Sequence, residues 1–369
     1  MKKLKEGLLK YYEANQTKVD IAFFLAGFVF DVFTLSETDD ILGILQQVLY
    51  LALAGFILVY EMRLMIEKRE CSPRWNKYWA YAPMLFHFML GGLLSVYSLF
   101  FLKSSSFFSS LVFVLFLAAI MVANEIKSLQ KRQGIVRVAL YVICVLSFFS
   151  ILCPVILGFV GLFPTLLALL MTVVVVYGVY RLLLKPTEGE EFLELKRFLK
   201  KNLLVPSGTI LSLFLLFYSM GWIPPVPLSV QFMGVYHNVE KVDGKYVLSY
   251  QTPWWQVWKN GDQDFRAQPG DKIYFFASVF SPASFSDSVI LHWYYKDPRA
   301  GWMSTDRIPM QVSGGRAGGY RGFSVKQNYS AGEWRVSVET TDGREMGRLY
   351  LIVENEEPDP YRTFSLEYY

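Results

Sequence analysis

Seven stretches of this 369-residue chain are apolar for about as long as a helix needs to cross a bilayer, and they decide most of what the chain can become. They run over approximately 19–36, 41–62, 79–102, 106–125, 135–157, 160–184 and 203–223. A spanning helix takes about 20 residues to cover about 30 Å of hydrocarbon, and each run approaches or exceeds that length. The fifth and sixth are separated only by the turn Gly158–Pro164, which predicts a tight helical hairpin. The first run, Val19–Thr34, follows a basic start but lacks a small-x-small cleavage site. It reads as an uncleaved signal anchor.

Lysine and arginine set the direction of insertion. They collect in the amino-terminal tail (Lys2, Lys3, Lys5, Lys10, Lys18) and after the second run (Arg63, Lys68, Arg69, Arg74, Lys77). They recur after the fourth (Lys127, Lys131, Arg132, Arg137) and after the sixth (Arg181, Lys185, Lys196, Arg197, Lys200, Lys201). The alternate loops, Ser36–Asp40, Lys103–Ser105 and Gly158–Pro164, hold one basic residue, Lys103. The alternation predicts seven spans with the amino terminus inside and the carboxy terminus outside. Two inner segments are amphipathic, one around Leu4–Tyr12 and one at Phe192–Leu199, and both read as interfacial helices.

Composition changes near residue 224. Charged residues make up 18% of the whole chain, against about 25% in soluble proteins, and the deficit falls in the first part. The net charge of +4 comes mostly from the inner loops, so it is no sign of nucleic-acid binding. The later part contains none of the three cysteines, Cys71, Cys144 and Cys153, so it is expected to fold without disulfides. No zinc-type spacing, Walker loop or Gly-x-Ser-x-Gly elbow occurs, and no cofactor is expected.

Ile223-Pro-Pro-Val-Pro227 ends the last helix, because proline lacks the amide donor a helix requires. Short alternating runs follow at 231–238, 245–251, 272–280, 288–296, 302–311, 319–327, 333–340 and 347–354. Trp334, Val336 and Val338 alternate with Arg335, Ser337 and Glu339, which predicts one buried face and one wet face. Asp342–Gly343 is a hairpin turn. Eight strands at this spacing suggest a β-sandwich of immunoglobulin-like type. The expected organisation is a cytoplasmic tail (1–18), a seven-helix all-α membrane bundle (19–223), a proline-rich exit (224–230), an all-β sandwich (231–356) and an acidic, aromatic tail (357–369).

Several pieces of the chain resemble one bacterial family of unknown function, DUF2914. They are Leu291-His-Trp-Tyr-Tyr295, Gly318-Gly-Tyr-Arg-Gly322, Gly332-Glu-Trp-Arg-Val336 and the Asp342–Gly343 turn. Members with a multi-span amino-terminal half are similar upstream as well, at Phe30–Leu35, 223–227, Gly234–His237 and Pro253-Trp-Trp255. The resemblance implies a bacterial inner-membrane protein with a periplasmic domain. It supplies no activity and no catalytic residues.

Two polar residues in the apolar half are candidates for an intramembrane site. Asp31 lies in the first run and His87 in the third. A carboxylate at membrane depth is costly and so a functional candidate, although Asp31 lies close enough to the outer loop to be capped at headgroup level. His87 is equally explained by a hydrogen bond to a neighbouring helix. In the later part, Trp254, Trp255 and Trp258 form the densest aromatic cluster. Such a cluster suits a core, the bilayer interface or a ligand surface. His237 and His292 fall in predicted strands without ligands at metal spacing. The glycine-rich run 314–319 precedes a strand rather than a helix and reads as a flexible loop.

These features favour a non-enzymatic envelope protein whose outer domain recognises a protein, glycan or lipid headgroup. The competing reading is a membrane-embedded transporter or lipid-modifying enzyme using Asp31 and His87.

Overall fold

A computed structural model describes residues 40–67, 79, 81–104, 133–184, 189–256, 258–283, 285–313 and 319–369. The chain divides into two compact units. One comprises 1–101, 111–154 and 163–223, and the other 102–110, 155–162 and 224–369.

The first unit is helical. Its described elements are α1 (Ile41–Glu67), α2 (Ala82–Lys103), α3 (Gln133–Leu157), α4 (Leu162–Leu183), α5 (Glu190–Leu199) and α6 (Val205–Ser219). Among the described residues five helical stretches are long and apolar enough to cross a membrane. The expected runs 19–36 and 106–125 lie outside the described residues, so the description holds five such stretches rather than seven. α2 and α3 are mostly buried, while α1 and α4 turn Leu, Ile, Phe and Val outward. Outward apolar side chains are what lipid-facing helices require.

One expectation changes here. The amphipathic segment and the last run, read as separate helices, form one continuous helical stretch, Glu190–Ser219. A π-helical turn, Lys200–Leu204, joins α5 to α6. Pro206 follows at the start of α6. Its ring would clash with the carbonyl of residue 202 in a regular helix. The wider π turn relieves that clash without ending the helix.

Among the described residues the second unit holds eleven strands: β1 (Ser229–Tyr236), β2 (Asn238–Val242), β3 (Lys245–Tyr250), β4 (Asp264–Ala267), β5 (Ile273–Phe280), β6 (Ser286–Asp297), β7 (Gly301–Ser313), β8 (Tyr320–Lys326), β9 (Gly332–Thr340), β10 (Glu345–Asn355) and β11 (Ser365–Tyr368). The eight expected strands are all present. β2, β4 and β11 are additions, each of only four or five residues. The stretch read as an acidic, aromatic tail contains β11, which pairs with β3.

The strands form three sheets, ordered β1-β5-β8, β4-β10-β9-β6-β7 and β11-β3-β2. A plain two-sheet sandwich does not describe this arrangement. β5 shows why. Its alternate residues Ile273, Phe275, Ala277 and Val279 enter the main core with Trp293, Trp334 and Val336. Phe276, on the opposite face, packs in a second cluster with Tyr236, Val239 and Leu248. A strand covered on both faces reads as an almost continuous apolar run, as Ile-Tyr-Phe-Phe-Ala-Ser-Val-Phe does. Trp334 is 3% exposed and its indole N–H donates to the Ser330 carbonyl at 2.9 Å. That leaves the outer face of the five-stranded sheet to the alternate, polar residues of β6, β7 and β9.

Candidate functional site

Of the two intramembrane candidates, only His87 lies among the described residues. Asp31 lies outside the described residues. His87 is buried in α2, with its ring edge-on to Phe86. The helical unit does assemble an ion pair that the sequence reading missed. Arg137 of α3 meets Glu61 of α1 at 2.6 Å, with both side chains about nine-tenths buried. Burying either charge alone in an apolar bundle would be costly, so each requires the other. The count of loop charges includes Arg137 although the fifth apolar run, 135–157, already spans it, and α3, which begins at Gln133, holds it in the helix.

Trp254, Trp255 and Trp258 lie between β3 and β4, exposed at 84%, 58% and 71%. Core packing is therefore excluded for them. Their loop is held at its base by Asp262, which is 1% exposed. Its carboxylate accepts from the Gln251 and Thr252 amides at 2.8 Å each and from the Thr252 hydroxyl at 2.9 Å. His237 Nδ1 is 2.7 Å from the same carboxylate. At Gly261, φ is +71° and an added Cβ would stand 2.0 Å from the Val235 carbonyl oxygen, so only glycine fits. The His237 ring stacks on Phe265 with centroids 4.0 Å apart. Arg362 closes the assembly from β11's side of the chain. It donates to Asp271 at 2.5 Å, Gln251 at 3.0 Å and His237 Nε2 at 2.5 Å. Nε2 is thus an acceptor, and Nδ1 carries the proton toward Asp262. The outer tryptophans sit on a braced polar base.

The outer face of the five-stranded sheet carries a second network, drawn from three strands. His292 lies on β6, Ser304 on β7 and Glu339 on β9. His292 Nε2 is 2.6 Å from Ser304 Oγ, and Nδ1 is 2.9 Å from Glu339 Oε2. The Tyr294 hydroxyl, 2.7 Å from Nδ1, donates to Glu339 Oε1 at 3.0 Å, and the Ser337 hydroxyl donates to the same oxygen. Burial first, then the Glu339 carboxylate, pushes the Tyr294 hydroxyl above its ordinary pKa, which keeps it a donor. Arg335 lies over the Tyr294 ring at 4.0 Å and the Trp302 ring at 5.1 Å. Its Nε is buried and has no hydrogen-bond partner among the described residues. The sequence places His292 in a strand without ligands at metal spacing and does not reveal this network. Single-strand alternation places His292 and Glu339 outward but contains no information on cross-strand register. The glycine-rich run at 314–318 lies outside the described residues.

The molecule is thus of a two-unit class, with membrane-compatible apolar helices in one unit and a β domain in the other. Residues 286–351 match the model of the family described as Protein of unknown function (DUF2914). The match runs from β6 into β10 and takes in the pieces at 291–295, 318–322, 332–336 and 342–343, but not those upstream. It contains His292, Tyr294, Ser304, Ser337 and Glu339 and excludes the tryptophan loop. No curated protein matches the chain.

Proposed function

We propose that this is a bacterial inner-membrane protein whose β domain faces the periplasm and recognises an envelope component, protein, glycan or lipid headgroup, through the tryptophan loop. Seven spans with an inside amino terminus fit the alternation of basic and neutral loops, and the five apolar helices are compatible with that count. The β1-β5-β8 sheet and the five-stranded sheet facing one core fit an immunoglobulin-like sandwich to which the β11-β3-β2 sheet has been added. The carrying observation is the exposure of Trp254, Trp255 and Trp258 on one loop braced by a buried carboxylate. Tryptophan supplies a large amphipathic contact area, and a fixed loop loses little entropy on binding.

The test uses the full chain purified from membranes under mild detergent. The triple variant W254A/W255A/W258A should lose specific co-purifying envelope components while its melting temperature stays at the wild-type value. Retention of every wild-type component would overturn the reading. The Glu61–Arg137 pair and buried His87 favour a second role for the helical unit, as a transporter or lipid-modifying enzyme that also uses Asp31.

A further inference from the structure

We propose that Ser304 is a nucleophile activated by His292, and that the outer face of the five-stranded sheet takes an acyl group from an ester that carries a negative charge. This goes beyond recognition by the tryptophan loop and stands on different residues.

The first support is the hydrogen-bond chain. Ser304 Oγ lies 2.6 Å from His292 Nε2, and the opposite ring nitrogen lies 2.9 Å from Glu339. A serine is a weak nucleophile until a base accepts its proton, and the base works only in the correct tautomer. Glu339 holds the proton on Nδ1 and so leaves Nε2 free to accept from Ser304. Tyr294 and Ser337 fix the carboxylate in turn.

The second support is the backbone. Arg307 lies opposite His292 and Asp306 opposite Trp293, but Ser304 lies opposite Tyr294, so Thr305 is an extra residue in β7. Regular alternation from Arg307 would turn residues 305 and 303 outward and send Ser304 to the core side. The bulge reverses that parity and brings Ser304 beside the histidine, where it is exposed. Thr305 secures the bulge by donating to the Trp293 carbonyl at 3.2 Å. Bulges often re-aim a side chain beside a reactive centre.

The third support concerns the substrate. Arg335 and Ser304 both pair with Tyr294, from β9 and β7, so the guanidinium stacked on Tyr294 and Trp302 lies on the serine's face of the sheet. An anionic group on the substrate, a carboxylate or phosphate, would meet this guanidinium.

The step balances with water alone. Ser304 Oγ attacks the ester carbonyl carbon as its proton passes to His292 Nε2. The bond to the leaving oxygen breaks, and that oxygen takes the proton and departs as an alcohol. Water, losing a proton to Nε2, then attacks the acyl-serine. A carboxylic acid is released and Ser304 is restored.

The experiment treats the full-length protein in detergent with a fluorophosphonate probe and locates the adduct by peptide mass. The expected result is an adduct on Ser304, absent in S304A. Labelling should slow about 100-fold or more in H292A. Glu339 is a positioning residue, so E339Q should lower the rate and also change the pH profile of labelling, with its fold intact by thermal melt. E339Q keeps the test decisive if H292A does not fold. The W254A/W255A/W258A variant should label at the wild-type rate, which separates this proposal from the recognition reading. A folded wild-type protein without an adduct on Ser304, or with equal labelling rates in wild type and E339Q, would overturn the proposal and make the chain a structural cross-strand ladder.

Discussion

The β domain contains two histidines that begin alike and end differently. His237 and His292 each turn Nδ1 to a buried carboxylate, Asp262 at 2.7 Å and Glu339 at 2.9 Å. The difference lies at Nε2. In His237 that nitrogen accepts from the Arg362 guanidinium, which also binds Asp271 and Gln251, so the ring is enclosed. In His292 it meets the hydroxyl of an exposed serine. A dyad is therefore no functional signature by itself. What the outer nitrogen faces decides whether the pair braces a loop or can move a proton.

Removing the carboxylates should separate the two sites, and Asp262→Ala should have the larger effect. It would strand two backbone amides and the His237 N–H away from water, while the Thr252 hydroxyl keeps the Gly261 carbonyl at 2.8 Å. Each unmade buried bond costs about 1–3 kcal/mol, and with partial relaxation the domain should lose about 3–5 kcal/mol. Chemical denaturation of the full chain, followed by amide exchange in the β domain, measures this. A loss below about 1 kcal/mol would mean that Asp262 is no brace.

Glu339→Gln should cost less, about 1–2 kcal/mol, because the amide has nearly the same shape and still offers one acceptor oxygen. The same denaturation experiment checks it. A cost as large as that of Asp262→Ala would make the two dyads equivalent and erase the contrast.

The smallest effect should be that of Trp258→Ala. A side chain 71% exposed contributes little to the fold, so stability should stay within about 0.5 kcal/mol of wild type. A clear drop in melting temperature would show that the loop packs against something and is not a free contact surface.

How far the sequence carried these conclusions depends on the range of each interaction. Strand β9 and the burial of Trp334 are legible because alternation is local, and β5 and β6 because aromatic and β-branched residues mark them. The short strands β2, β4 and β11 were not. Asn238–Val242 carries Asn, Glu and Lys among five residues, and it gains strand form only by pairing with β3. The tryptophan loop was visible as a cluster, but its brace was not, since Asp262 and His237 are 25 residues apart. His292 is visible in its strand, but its partners come from β7 and β9 and are not. The bulge that aligns Ser304 leaves no mark in a single strand. In the helical unit, Glu61 and Arg137 were assigned by hydropathy to the ends of separate runs, and only packing joins them.

The extra residue in β7 has a genetic consequence. Because side chains alternate with a period of two, an unbulged extra residue at Thr305 would flip everything between the β6–β7 turn and that point, and the bulge cancels the flip. Loss of those three nucleotides would leave the reading frame of the gene intact and join Ser304 directly to Asp306, so regular alternation from Arg307 would keep Trp302, Met303 and Ser304 on the faces they have now. A lineage could therefore gain or lose Thr305 through a single in-frame indel and keep the serine beside His292, because the bulge takes up the added residue.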